Sequence, residues 1–338
     1  MFTKRHIAGV VGALAAVCGL SFAPAAHAVS TPFVYSGTVR ADGADRYATA
    51  ALVSRGSFAP STGSTVFLAS GESFADALAA GPAAANLDGP LLLTAASGLP
   101  AATRAELTRL KPSSVHVVGG TERVPDAVLA AVRALLPSVT VDRTAGADRY
   151  ATAVAVAQKF FPAQQASFVL ARGDAFPDAV SGAALAGWRG EPLLLTAPDR
   201  LPDPVTTWLS AAERARATVI GSTDSVSAAV AARADLFLSA PDAVTRLAGA
   251  DRYATSAAVA RAVHAQSQVA VVATGRTFPD ALAAVPAAAV NGAPLLLVPV
   301  DCTPAETGAY VEGNAALRGV LVVGDSSAVA DEALERVC

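Results

Sequence analysis

One phrase recurs three times along this chain. It reads Gly43-Ala-Asp-Arg-Tyr-Ala-Thr-Ala50, then Gly146-Ala-Asp-Arg-Tyr-Ala-Thr-Ala153, then Gly249-Ala-Asp-Arg-Tyr-Ala-Thr-Ser256. Asp45, Asp148 and Asp251 are spaced by 103 residues both times. That regularity marks a tandem triplication, so whatever the chain does must be explained for three related sites. A period of about 100 residues is too long for a solenoid unit and suits a small domain.

Each copy follows the same outline. In the first, Asp45 is a plausible N-cap for a helix that begins Arg46-Tyr-Ala-Thr. Thr65-Val-Phe-Leu-Ala-Ser70 is a short apolar run closed by Gly71 and predicts a buried strand. A second helix starts near Phe74-Ala-Asp-Ala77 and is broken by Gly89-Pro90. Leu91-Leu-Leu-Thr94 predicts a strand, and Leu99-Pro100 opens a helix to about Leu110. Val115 to Val118 predicts a strand ended by Gly119-Gly120, and Val124-Pro125 opens a helix to about Leu136. Val139 to Arg143 predicts a last strand, which delivers the chain to the next Asp-Arg-Tyr. Strands alternate with helices, and the strands are continuously apolar. That combination predicts an α/β fold with parallel sheets covered on both faces. The strand order is not set by this pattern. No Pro/Ser-rich linker separates the copies, so the modules are expected to pack on one another.

Composition narrows the function classes. Of the 338 residues 53% are hydrophobic and 16% charged, which excludes disorder. The apolar content is Ala, Val and Leu, which suits close packing of helices on sheets. Lysine occurs only at Lys4, Lys111 and Lys159, and the formal net charge is −3. A nucleic-acid binder would show a basic excess, so no nucleic-acid partner is expected. Lys4, Arg5 and His6, the apolar run from Ile7 to about Phe22, and Ala26-His27-Ala28 together predict a secretory leader over residues 1–28. The run is short for a membrane span, so no membrane association is expected after cleavage. The three modules then occupy 29–138, 139–241 and 242–338. Cys18 leaves with the leader. Cys302 and Cys338 remain as an even pair in an oxidising compartment, which predicts a disulfide rather than two free thiols.

Few residues offer chemistry. His116 and His264 fall at different places in the repeat, and neither a Gly-x-Ser-x-Gly elbow nor a His-Glu-x-x-His motif is present. No metal or other cofactor is expected. Asp76, Asp178 and Asp280 recur in Phe-x-Asp-Ala, where an acid in a first helical turn complements the helix dipole. They also fall at the carboxyl ends of strands, where open α/β sheets bind ligands, and could there hold an Arg or a sugar hydroxyl. Arg46, Arg149 and Arg252 lie in a first turn, where a cation opposes the dipole. A partner is therefore expected. It is either an acid such as Asp76 and its counterparts, in an ion pair within each module, or an anionic ligand gripped by the guanidinium fork. Arg40, Arg143 and Arg246 end a strand and place a second cation nearby. The Gly119-Gly120 turn could present backbone N–H groups to a phosphate, although its copies read Gly221-Ser222 and Gly324-Asp325.

Taken together, Gly-Ala-Asp-Arg-Tyr-Ala-Thr-Ala, Ala-Ser-Gly-x-x-Phe-x-Asp-Ala-Leu, Pro-Leu-Leu-Leu and Val-Val-Gly-Gly resemble the cell-wall-binding repeat type 2 family over essentially the whole chain after the leader. The resemblance implies compact Toprim-like α/β modules about a pseudo-threefold axis. It also implies non-covalent attachment to an anionic secondary cell-wall glycopolymer of a Gram-positive surface. Matched by motif, the family's Arg falls on Arg46, Arg149 and Arg252, and its apolar run on Leu91–Leu93, Leu193–Leu195 and Leu295–Leu297, all Leu where Ile-Leu-Leu is common. Family members usually carry an effector domain, for which these residues leave no room. The expectation is a secreted, monomeric wall-binding protein that is not an enzyme. The rival readings are a wall-modifying hydrolase or amidase, and a self-assembling surface-layer protein.

Overall fold

The computed structural model describes residues 37–61 and 64–338. The leader expected over residues 1–28, with Cys18, lies outside the described residues. In chain order the elements of the first repeat are β1 (Gly37–Ala41), α1 (Arg46–Ser57), β2 (Thr65–Ser70), α2 (Ala75–Asn86), β3 (Leu91–Thr94), α3 (Ala101–Leu110), β4 (Ser114–Val118) and α4 (Asp126–Leu135). The second comprises β5 (Thr140–Thr144), α5 (Arg149–Phe160), β6 (Ser167–Arg172), α6 (Pro177–Arg189), β7 (Leu193–Thr196), α7 (Asp203–Ser210), β8 (Arg216–Ile220) and α8 (Ala228–Asp235). The third comprises β9 (Val244–Leu247), α9 (Arg252–Val263), β10 (Val269–Thr274), α10 (Pro279–Val290), β11 (Leu295–Val298), α11 (Ala305–Gly313) and β12 (Gly319–Val323), closed by a 3₁₀ turn at Asp331–Leu334.

These strands form three four-stranded parallel sheets, ordered β3-β2-β4-β5, β7-β6-β8-β9 and β11-β10-β12-β1. The strand that opens each repeat therefore completes the sheet of the repeat before it. Arg143 on β5 sits in register with Val117 on β4. The first strand has no preceding repeat and pairs with the last, Arg40 on β1 opposite Val322 on β12. Strand exchange thus runs around the whole molecule and ties its first described residues to its last sheet.

The repeats share one apolar interior. A single buried cluster takes in Phe67 and Leu78 from the first repeat, Val180 and Leu185 from the second, and Leu282 and Val285 from the third. At its centre α2, α6 and α10 pack against one another. Their contact faces are small: Gly187 lies so close to Ala85 and Ala289 that an added Cβ would stand 2.9 and 3.0 Å from their Cβ atoms. The abundance of alanine is explained here, because larger side chains would hold the three helices apart. At the other end of the same helices, Phe74, Phe176 and Phe278 meet with ring centroids 5.7 to 6.1 Å apart. Near-equal distances among three equivalent rings define a pseudo-threefold axis. The outer edge strands β3, β7 and β11 are fully buried although each lacks a partner on one side. Helices from the same and the preceding repeat cover them: α1 and α10 lie on β3. This arrangement protects the edges from pairing with other chains. Cys302 and Cys338 are disulfide-bonded.

Candidate functional site: the clefts between modules

The thrice-repeated phrase folds as a tight turn onto a helix. Asp45 accepts hydrogen bonds from the N–H groups of Tyr47 and Ala48, and Asp251 from those of Tyr253 and Ala254. Asp148 caps α5 through Ala151. The N–H of Gly43 donates to Thr49 Oγ1 at 3.1 Å, and Gly146 and Gly249 do the same to Thr152 and Thr255. A Cβ on Gly43 would lie 2.1 Å from the Thr49 nitrogen, so the turn admits only glycine. Tyr47 packs against Gly71, where a Cβ would be 2.6 Å from its ring. Asp, Gly, Thr and Tyr of the phrase are therefore accounted for by local structure.

Arg46, Arg149 and Arg252 are different. Each donates one hydrogen bond from Nη1 to a carbonyl at the end of a strand of its own repeat: Gly71 at 2.6 Å, Gly173 at 2.7 Å and Gly275 at 2.6 Å. Among the described residues none of the three forms an ion pair. The helix-start acid that each one faces belongs to the preceding repeat, although Arg149 also acts on Asp174 of its own. Arg149 acts electrostatically on Asp76, and Arg46 on Asp280. Arg252 and Asp178 line one cleft of about 300 Å³, together with Ser222, Ser225 and Thr255. The ion pair expected within each module is thus replaced by an acid and a guanidinium that face each other across a module junction without touching.

The position of the acids follows from topology. The chain leaves β2 in one direction to β3 and returns to β4 on its other side. Between the carboxyl ends of β2 and β4 the connections part and leave a crevice, the usual ligand position in open α/β sheets. Asp76 begins α2 there, against the turn at the end of β4: a Cβ on Gly119 would meet Asp76 Oδ2 at 2.8 Å. Gly221 stands in the same relation to Asp178, and Gly324 to Asp280. All three glycines have positive φ, 120°, 101° and 110°, which favours glycine independently of space. Burial raises the Asp76 and Asp280 carboxyls above their ordinary value. For Asp76 the Thr152 hydroxyl, Arg149 and Arg123 offset part of that rise, and for Asp280 the nearby Asp325 adds to it.

Arg40, Arg143 and Arg246 brace the same turns. Arg143 donates to the carbonyls of Gly119 and Val124 and pairs with Asp126 at 2.9 Å. Arg40 donates to Gly324 and pairs with Asp331 at 2.8 Å. Arg246 donates to the carbonyls of Gly221 and Ser222. These guanidiniums hold the turn from the strand side, with donors already engaged. His116 and His264 lie elsewhere: His116 hydrogen-bonds Asp142 at 2.8 Å, and His264 is buried against Trp188.

Two features of the clefts lie outside the sequence-based expectations. The phenylalanine of Phe-x-Asp-Ala was visible at its repeat spacing, but only the structure brings the three rings together on the axis. Arg123 occurs once, so nothing in the repeat pattern marks it.

Three α/β repeats closed into a ring by strand exchange, with an acid and a guanidinium at each junction, define a tandem-module binding architecture. The chain belongs to the Cell wall binding domain 2 (CWB2) family, whose model matches residues 40–129, 143–231 and 246–334. It is similar to the N-acetylmuramoyl-L-alanine amidase LytC of Bacillus subtilis (strain 168), at 30% identity over 89% of this chain and 58% of the relative. It is also similar to the amidase enhancer of the same organism, at 28% identity over 79% of this chain and 36% of the relative. Among solved structures, Cwp6 from Clostridium difficile superposes with a TM-score of 0.79 and 27% identity, covering 87% of this chain and 46% of that one. Cwp8 from Clostridium difficile gives 0.77 and 26%, covering 86% and 50%. The chain therefore spans roughly one third to three fifths of the length of these relatives. Membership of this family supports a wall-binding role and a location at the cell wall. Among the described residues no helix is long and apolar enough to cross a membrane.

Proposed function

We propose that this protein is secreted and attaches non-covalently to an anionic glycopolymer of a Gram-positive cell wall, through the three junction clefts, as a monomer and without catalysing a reaction. The observation that carries this reading is the state of Arg46, Arg149 and Arg252. Each is anchored by one carbonyl and faces a carboxylate across a cleft, yet forms no ion pair. A ligand bearing both hydroxyls and an anionic group fits such a cleft: the hydroxyl donates to the Asp, and the anion accepts from the remaining guanidinium N–H groups. Arg40, Arg143 and Arg246 enter as second cations that fix the turn. Three modest sites on one rigid ring give avidity along a repeating polymer. The relatives named for amidase activity motivate the rival reading of a wall-modifying enzyme. Against it, neither His116 nor His264 lies at a cleft, and among the described residues no group of His, Cys, Asp and Glu could hold a metal.

Co-sedimentation with purified Gram-positive walls tests the proposal. Binding should be lost when the phosphate- or uronate-bearing polymer is chemically removed from the walls. Undiminished binding to stripped walls rules the polymer out, and clearing of wall substrate in a gel assay supports the enzymatic rival instead.

A further inference from the structure

Phe74, Phe176 and Phe278 occupy a place that helix formation would give to another kind of side chain. They are the N-cap residues of α2, α6 and α10, a position that favours a short polar group able to accept from the first free N–H groups of the helix. None of the three makes such a bond. They meet on the axis instead, with ring centroids 5.7 to 6.1 Å apart and each ring tilted by 58° to 64° against the next.

Sealing the core accounts for only part of this. Further along the same helices, where Gly187 approaches Ala85 and Ala289, all three residues are buried. The three rings are only half-buried, so they present an apolar floor at the point where the modules meet. Glu72, Asp174 and Arg276, each two positions ahead of a ring, are exposed. The floor adjoins the clefts. Ala175, Pro177 and Asp178, the chain neighbours of Phe176, line the cleft between modules 2 and 3 together with Arg252. Between modules 1 and 2 the Arg149 guanidinium lies 5.9 Å from the Phe74 ring centroid. An anionic group held by a cleft arginine therefore leaves the next part of its chain beside the axis.

Resting on the anionic-glycopolymer reading above, we propose that the three rings form a further binding site, an axial platform on which one sugar ring of the bound polymer stacks. The C–H groups on one face of a pyranose make an apolar patch bordered by hydroxyls, and burying that patch on aromatic rings is favourable without any charge. The three centroids are close enough together that the platform takes one sugar at a time. The molecule therefore holds a single polymer strand at its axis, while the clefts grip the anionic groups to either side.

NMR on protein labelled in its phenylalanine rings, mixed with polymer released from purified Gram-positive walls, detects this contact without any substitution. Nuclear Overhauser effects should run from the ring protons of Phe74, Phe176 and Phe278 to sugar C–H protons. Replacing all three residues by leucine keeps an apolar seal and removes the aromatic faces. The triple variant Phe74→Leu, Phe176→Leu, Phe278→Leu should bind released polymer about three- to tenfold more weakly than wild type. In about 1 M salt, where charges are screened beyond about 3 Å, that ratio should persist while the loss caused by Arg149→Ala shrinks. Polymer that binds wild type with no Overhauser effect from these rings would overturn the platform and leave the cleft reading standing. A leucine variant that melts like wild type and binds as tightly would do the same. Released polymer that does not bind, while stripped walls still do, would overturn the polymer reading and the platform with it.

Discussion

The guanidinium of Arg149 lies 5.9 Å from the ring centroid of Phe74, across the junction between two repeats. This one contact joins the repeated phrase of module 2 to the aromatic cluster on the axis, beside the cleft acid of module 1. It shows how a cation in the first turn of a helix is tolerated without an ion pair. Its charge is met by the Gly173 carbonyl, by the face of an aromatic ring and by a carboxylate at longer range. The same arrangement leaves most of its N–H groups open to a ligand.

Substitution of Arg252 should separate binding from folding. Arg252 is exposed, and its side chain makes one hydrogen bond among the described residues, to the Gly275 carbonyl. Arg252→Ala is expected to cost no more than about 1 kcal/mol of stability, while wall binding falls measurably. Arg252→Lys should recover less than half of that binding, because an ammonium cannot make the paired contacts of a guanidinium. Thermal melts and wall co-sedimentation on the same samples check both statements. A large loss of stability with unchanged binding would make Arg252 a structural residue.

Much of this architecture is legible in the sequence, and the remainder fails for definable reasons. The strands at Thr65–Ser70 and Leu91–Thr94 and the third helix's end at Leu110 fall where apolar runs, Gly and Pro place them. The destination of the strand ending near Arg143 does not. It was expected only to deliver the chain to the next phrase, and it completes the sheet behind it, because parallel pairing leaves no local signal of which neighbour a strand takes. The same exchange explains why the Phe-x-Asp-Ala acid near Arg149 is Asp76 rather than Asp178 of its own repeat. Arg123 escapes for a simpler reason: a reading built on what recurs passes over what occurs once.

The helix convergence at the axis predicts a sharp size limit at Gly187. A leucine there would direct its side chain at Ala85 and Ala289, whose Cβ atoms already stand about 3 Å from a Cβ at that position. The obstacles belong to helices packed on both sides, so relief requires moving one of them. Gly187→Leu is expected to destabilise by about 1–3 kcal/mol or more, and Gly187→Ala by less. Chemical denaturation of the two variants gives the comparison. A leucine variant as stable as wild type would mean that the three helices separate easily.

Stability should fall in mild acid because of His264. Burial beside Trp188 holds its imidazole down to about 4, against an ordinary value of 6.5. Between these values the unfolded chain takes up a proton that the folded protein refuses, so stability declines as pH drops from about 6.5 to 4. The decline is at most about 3 kcal/mol, at about 1.4 kcal/mol per unit. Asp76 and Asp280, raised by burial, act in the opposite sense, since their contribution is lost as pH rises through their folded values. Denaturation curves at pH 7 and pH 5 should therefore differ in wild type and differ less in His264→Phe. Identical pH slopes in the two proteins would assign the acid sensitivity to other groups.

The disulfide between Cys302 and Cys338 should stabilise the ring without serving the clefts. It spans 36 residues and sits beside a short parallel bridge between Thr303 and Val337, where the Cys338 N–H donates to the Thr303 carbonyl at 3.0 Å. In the chain-entropy model a loop of that length contributes about 4 kcal/mol. The segment it secures carries Ala333, which is buried in the core of the third repeat, and Asp331, which pairs with Arg40 on the strand that closes the ring. Loosening this tail therefore reaches the turn at Gly324, in the cleft between modules 3 and 1, and leaves the other two clefts intact. The double variant Cys302→Ser, Cys338→Ser is expected to melt several degrees lower than wild type, and wild type in reductant should melt with it. Wall binding at low temperature should be nearly unchanged, because the change reaches one cleft of the three. A melting temperature insensitive to reductant would show that the hydrogen bonds of the tail suffice. A large loss of binding by the folded double variant would show that the cleft between modules 3 and 1 carries most of the attachment.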